Sequence, residues 1–190
     1  MKTGSCRIIG GKWRGRKINF DDAQGLRPTT DRIRETVFNW LQAYIHQSRC
    51  LDVFAGSGVL GFEALSRGAQ KVVFIELNSK TVATLKQNIS MLGAANASIF
   101  HQDALHCLQS LPSKQEFDLV FLDPPFHSEL LKKATALLVS SGCLAEDAII
   151  YVEHSIDTDI EMPENWVCLK QKITGQVAYK LFENRVVNES

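Results

Sequence analysis

Residues Asp123, Pro124, Pro125 and Phe126 close an apolar run with an acid, two prolines and an aromatic ring. Proline has no N–H for a sheet ladder and pushes the residue before it towards extended geometry. Asp123 is therefore expected at a stiff corner where a strand ends. A turn alone needs only Gly, Asn or Ser. These four residue types together suit the handling of an amine carried on an aromatic ring. Such an amine is a poor nucleophile, because its lone pair is delocalised into the ring. If its two N–H bonds donate to the Asp123 carboxylate and the Pro124 carbonyl, the nitrogen can pyramidalise towards an electrophilic carbon. Pro125 fixes the direction of that carbonyl, and Phe126 offers a face for the ring to stack on. The rate gain comes from orientation and a preplaced acceptor, without a metal or a covalent intermediate. A nucleobase would have to leave its helical stack to reach this corner.

A second stretch, LDVFAGSGVLG, spaces Gly56, Gly58 and Gly61 in a GxGxxG pattern with Ser57 between the first two. Glycines let the backbone approach a ligand closely, and a following helix presents free N–H groups. Glu76, with Leu77 after it, ends the next apolar run, where a carboxylate can accept both hydroxyls of a ribose. A nicotinamide dehydrogenase would show the same spacing. Asp52 favours S-adenosylmethionine instead, because it would repel a pyrophosphate and suits an ammonium, directly or through water. Asp103, followed by Ala104, can accept from an adenine amine or cap a helix. Four carboxylates, Asp52, Glu76, Asp103 and Asp123, suit a zwitterionic sulfonium better than a diphosphate.

The elements that must hold these residues follow from the pattern of apolar runs. From residue 50 onward, short continuous runs alternate with amphipathic segments. Strands are expected at 50–55, 71–76, 97–101, 117–122 and 148–154. Helices are expected at 59–68 (closed by Gly68), 79–93 (capped by Ser79), 103–111 and 129–142. Runs this continuous belong to a parallel sheet covered on both faces. Segments 166–173 and 175–183 then read as an antiparallel hairpin closing the sheet. Ahead of this core, residues 7–20 resemble two short strands joined through glycines. Residues 29–45 read as a helix with Ile33, Val37, Trp40, Leu41, Tyr44 and Ile45 on its apolar face and Arg32, Arg34 and Glu35 directed elsewhere. The expected division is a basic extension over 1–45 and a cofactor-binding domain over 46–190.

Net charge is zero, but nine of the 21 basic side chains and only three of the 21 acidic ones lie in residues 1–34. A basic arm on an acidic body suits a polyanionic partner met in one place. Arg7, Lys12, Arg14, Arg16 and Lys17 surround Trp13, a mixture that supports phosphate contacts and stacking on an unpaired base. Arg27, Arg32 and Arg34 are expected to extend this surface towards the catalytic pocket, with Thr29 near the cofactor or the target nucleotide. The five cysteines are scattered, without metal-ligand spacing, and read as buried reduced thiols. With no apolar signal core and no run long enough to span a membrane, a cytoplasmic, metal-free monomer is expected.

The segments RIIGGKWRGRK, LRPTTDRIRETVFNWL, DVFAGSGVLGFEALSRGA, DPPF and GQVAYKLF resemble those of the bacterial 16S rRNA (guanine(966)-N(2))-methyltransferase family, the RsmD type. The similarity runs from about Arg7 to Phe182. It implies a Rossmann-like class I fold with a seven-stranded, mostly parallel sheet. It also implies methyl transfer from S-adenosylmethionine to the exocyclic amine of one guanine in 16S ribosomal RNA, carried on the small ribosomal subunit. An adenine-N6 DNA methyltransferase shares the DPPF chemistry but ordinarily carries a target-recognition insertion. A protein glutamine methyltransferase usually carries NPPY. A nicotinamide oxidoreductase and a non-catalytic RNA-binding factor are the readings of other classes.

Overall fold

The computed structural model describes residues 3–21, 30–111, 116–125, 128–158 and 160–185. Strands β1 (Thr3–Arg7) and β2 (Lys17–Asp21) pair as an antiparallel hairpin, joined across a single 3₁₀ turn at Gly11–Trp13. Helix α1 (Asp31–Trp40) follows. Alternation then builds β3 (Arg49–Asp52), α2 (Val59–Ser66), β4 (Lys71–Glu76), α3 (Ser79–Leu92), β5 (Ala97–His101), α4 (Ala104–Ser110), β6 (Phe117–Leu122) and α5 (Ser128–Ser141). The chain ends in β7 (Leu144–Ser155), β8 (Trp166–Thr174) and β9 (Val177–Asn184). The main sheet has seven strands in the order β5-β4-β3-β6-β7-β9-β8. Its first five are parallel, and β9 runs antiparallel to both neighbours. This is the mostly parallel, hairpin-closed sheet expected from the sequence. The last strand inserts next to β7 and leaves β8 at the edge.

Period-two alternation divides the core between the two faces of the sheet. Cys50, Val72, Phe74, Leu119, Phe121 and Tyr151 pack against α1, α2 and α3, together with Ile8, Trp13 and Ile18 of the amino-terminal segment. Leu51, Val73, Ile75, Val120, Leu122 and Val152 pack on the other face with Leu108 of α4 and Leu131, Ala134 and Leu138 of α5. The amino-terminal hairpin thus shares a core with the sheet.

Local departures have physical causes. Asn78, not Ser79, caps α3, its side chain accepting from Lys80 N and Thr81 N. An amide oxygen one residue upstream reaches both donors, and Ser79 becomes the first helical residue. Helix α1 stops at Trp40 rather than running to residue 45. Beyond it the chain tightens into a turn, with Tyr44 N donating to Leu41 O at 2.8 Å. Leu41 and Ile45 stay buried there, so the apolar spacing outlives the helix, while Tyr44 is 40% exposed. Arg34, expected on the outer face, is completely buried, because Glu63 of α2 and Asp31 meet it there. All five cysteines are free thiols. Cys50, Cys107 and Cys143 are buried, and Cys168 is exposed.

Candidate active site

Parallel strands direct their carboxyl ends to one edge of the sheet, where the loops after them form a crevice. In this protein that edge carries a cleft of about 690 Å³, within the range of small-molecule sites. The loops after β3, β4, β5 and β6 contribute Gly56, Glu76, Leu77, Asp103, Ala104, Asp123, Pro124 and Pro125 to its lining. Eight of the residues expected to bind cofactor or act in catalysis thus border one cleft, whereas Asp52, Ser57 and Gly58 do not.

The glycine loop can be read residue by residue. Gly58 has φ of 72°, a left-handed conformation that L side chains rarely adopt. Gly61 packs against the sheet so closely that a Cβ would collide with the Phe74 ring. Its N–H donates to Asp52 Oδ2 at 3.2 Å. Asp52 is thus buried beneath the first turn of α2, and neither it, Ser57 nor Gly58 borders the cleft. Burial pushes the Asp52 carboxyl up to about 7; the Gly61 N–H opposes the rise and the Glu76 charge adds to it. Ser57 Oγ accepts from Val59 N at 3.4 Å as the helix begins.

Glu76 ends β4 with both carboxylate oxygens engaged. Oε2 accepts from Gly56 N at 2.9 Å and Oε1 from Asn78 N at 2.7 Å. One side chain therefore ties the glycine loop to the start of α3. Leu77, 64% exposed, presents an apolar face beside it. Asp103 caps α4, with Oδ1 accepting from His106 N at 3.0 Å, and also borders the cleft. It serves as a cap whatever else it binds.

At the far end Asp123 and Pro124 are half-buried and Pro125 is exposed. Phe126 lies outside the described residues, as do Arg27 and Thr29. The structure adds residues that the sequence reading passed over, namely Glu153, His154 and Ser155 at the end of β7. Tyr151 Oη donates to Glu153 Oε2 at 2.7 Å. Burial, then the Glu153 and Asp123 charges, raise the Tyr151 phenol well above its usual value, so it remains a donor. An acid closing the apolar run AIIYVEH was the available signal.

Four carboxylates line the cleft, and no Lys or Arg does so among the described residues. The fourth is Glu153 rather than Asp52. A pyrophosphate would be repelled at every wall, whereas a cationic sulfonium with an amino group and a neutral adenosine fits this donor and acceptor set.

Arg7, Lys12, Arg14, Arg16, Lys17 and Arg32 are all exposed. Trp13 is only 7% exposed, packed into the core with Lys12 Nζ 4.3 Å from its ring centroid, because the 3₁₀ turn folds it inward. The arm is tightly anchored. Glu63 accepts from Ile9 N at 2.8 Å and Gly10 N at 2.7 Å, and Ser66 Oγ accepts from Trp13 N at 2.9 Å. Asn88 accepts from Asn19 N and donates to Asn19 O.

A Rossmann-like sheet in this strand order, with a cleft at its carboxyl edge that carries four carboxylates and no Lys or Arg among the described residues, defines a class I S-adenosylmethionine-dependent methyltransferase. The chain matches the family described as conserved hypothetical protein 95 over residues 6–183. It is 50% identical over 183 residues to the ribosomal RNA small subunit methyltransferase D of Haemophilus influenzae, covering 95% of each chain. It is 44% identical over 189 residues to the Escherichia coli protein of the same name, covering 99% of this chain and 94% of that one. The solved structure of the Escherichia coli protein yhhF shares the fold with a TM-score of 0.88 at 43% identity, covering 96% of this chain and 99% of that one. The chain belongs to the ribosomal RNA small subunit methyltransferase D (RsmD) family.

Proposed function

We propose that the protein methylates the exocyclic N2 amine of one guanine in 16S ribosomal RNA, the position for which the resembled family is named, on the small subunit or an assembly intermediate of it. The observation that carries this reading is the Asp123–Pro124 corner opening into a cleft that carries four carboxylates and no Lys or Arg among the described residues. Glu76 holds the ribose hydroxyls, Leu77 packs on the adenine and Asp103 with Ala104 receives its edge. Gly56 lines the wall, Ser57 and Gly58 hold the loop in shape behind it, and Asp52 acts on the ligand ammonium through the loop it supports. When bound by these residues, S-adenosylmethionine would supply the methyl group on a sulfonium able to take back the electron pair of the broken C–S bond.

The chain's own contribution is orientation. The Asp123 carboxylate and the Pro124 carbonyl accept the two N–H bonds of the guanine amine and turn its lone pair towards the methyl carbon. As the N–C bond forms, the nitrogen gives up one proton, which the Asp123 carboxylate receives and releases to water. Pro125 and Phe126 fix the carbonyl and the plane of the base. The exposed arm (Arg7, Lys12, Arg14, Arg16, Lys17) and Arg32 carry the RNA phosphates, with Arg27 and Thr29 continuing the surface. Trp13 holds the arm in shape. The protein acts as a monomer in the cytoplasm.

The test is transfer of labelled methyl groups to small-subunit particles from cells lacking the gene, with purified DNA as the competing substrate. Label is expected in the N2 position of one guanine. Asp123→Ala is expected to lower the rate on the order of a hundredfold or more, as when one preorganised polar contact is lost. Labelled DNA, or full turnover by the variant, would overturn the reading.

A further inference from the structure

Methyl transfer at the corner does not by itself explain why guanine would be chosen. Adenine and cytosine also carry exocyclic amines that Asp123 and Pro124 could hold. The bases differ in what flanks the amine. In guanine one neighbour is a ring N–H, at N1. In adenine and cytosine the flanking ring nitrogen is a bare acceptor, and the other neighbour carries no N–H. A site that presents a hydrogen-bond acceptor beside the amine would therefore take guanine and reject the others.

The register of β6 on β7 supplies that acceptor. Phe121 lies opposite Tyr151, and Leu122 opposite Val152. One step beyond this register Asp123 leaves the end of β6, while the neighbouring β7 continues through Glu153 to Ser155, on strands spaced about 4.8 Å apart. Alternation puts Tyr151 and Glu153 on the same side of β7, and Asp123 and Glu153 both line the cleft. We propose that Glu153, positioned by Tyr151, accepts the N1–H of the target guanine and is the residue that selects this base. The inference rests on the N2-methylation reading above and names how that site reads its substrate.

Tyr151 is what makes the acceptor rigid. It is fully buried, and its ring packs edge-on against Phe121 with centroids 6.3 Å apart. Its hydroxyl occupies one site on Oε2 of Glu153. With adenine or cytosine docked, a ring lone pair would instead face the carboxylate, and a site built around a hydrogen bond rejects a ligand that cannot make it.

The experiment uses 16S RNA assembled with small-subunit proteins, carrying either guanine or 2-aminopurine at the target position. 2-Aminopurine keeps the C2 amine but has a bare N1, and its fluorescence rises when it leaves the stack, which reports entry into the cleft without turnover. The wild-type protein is expected to favour guanine by about a hundredfold or more, within the range set by an unmatched polar group. In Glu153→Gln the amide can donate to N1, so the preference is expected to fall at least tenfold and 2-aminopurine to enter the cleft more readily. Glu153→Asp, which retains the charge, is expected to keep the preference at a reduced rate, and Tyr151→Phe to weaken it partially. An unchanged preference in folded Glu153→Gln would overturn the role of Glu153 while leaving N2 methylation standing. Wild-type protein that methylates neither particle would instead overturn the methylation reading, and the inference with it.

Discussion

Arg34 on α1 and Glu63 on α2 are both completely buried, with Arg34 Nη1 3.8 Å from Glu63 Oε2. Arg34 also donates to Arg7 O at 3.0 Å and bonds Asp31, while Glu63 accepts from Ile9 N, Gly10 N and Arg67 Nε. These two side chains join three segments: the basic arm, α1, and the helix that the glycine loop begins. Breaking a buried pair from one side leaves the other charge uncompensated, at about 3–5 kcal/mol. Glu63→Gln is accordingly expected to lower the urea midpoint of unfolding by an amount of this order. Unchanged stability would mean that Asp31 alone satisfies Arg34.

Glu76 ties the glycine loop to α3 and is the proposed ribose ligand. Its removal should weaken S-adenosylmethionine by roughly 1–3 kcal/mol, the cost of unmaking hydrogen bonds to a charged acceptor. Calorimetry on Glu76→Ala should show this loss. Glu76→Gln can retain part of the contact with Gly56 N and should lose less. Equal affinity in wild type and Glu76→Ala would place the ligand elsewhere.

Asp52 makes stability depend on pH in a definite direction. Its carboxyl is raised to about 7 in the folded protein by burial, against an ordinary value near 4 in the unfolded chain. Between those values the folded state binds the extra proton, so stability should fall as pH rises from about 4 to about 7 and level off above. The full difference corresponds to at most about 4 kcal/mol. Asp52→Asn can still accept from Gly61 N and carries no charge. Its unfolding free energy, measured by urea titration between pH 5 and pH 8, should lose this slope. A variant as pH-sensitive as the wild type would show that another group is responsible.

The arm should reveal itself through salt. Arg14 and Lys17 are exposed on the hairpin and its connection. Replacing both with Ala should weaken RNA binding and flatten the log–log dependence of affinity on salt, by about 0.7–0.9 per lost phosphate contact. S-adenosylmethionine affinity should not change. An identical salt slope would assign recognition to another surface.

Much of the site was legible because its signals are local. The tight loop needs glycine where φ is positive at Gly58 and where α2 meets Phe74 at Gly61. The Asp-Pro-Pro corner and the Asp103 cap are likewise written within a few residues of where they act. Continuous apolar runs announced the parallel sheet, because strands buried on both faces need no polar alternation. What the sequence could not show depends on pairs distant along the chain. Alternation reveals which residues share a face of a strand but not which strands are neighbours, so the meeting of Glu153 and Asp123 in one cleft waits on the β6–β7 pairing. Arg34 read as an outward charge because nothing within its helix marks Glu63, 29 positions away, as its counter-ion. Asp52 stood in the right place to touch a ligand. Only the seating of α2 on the sheet turned it under Gly61. A charge can be buried only where a partner or donor meets it, and that meeting is set by packing between elements rather than by any run of neighbouring residues.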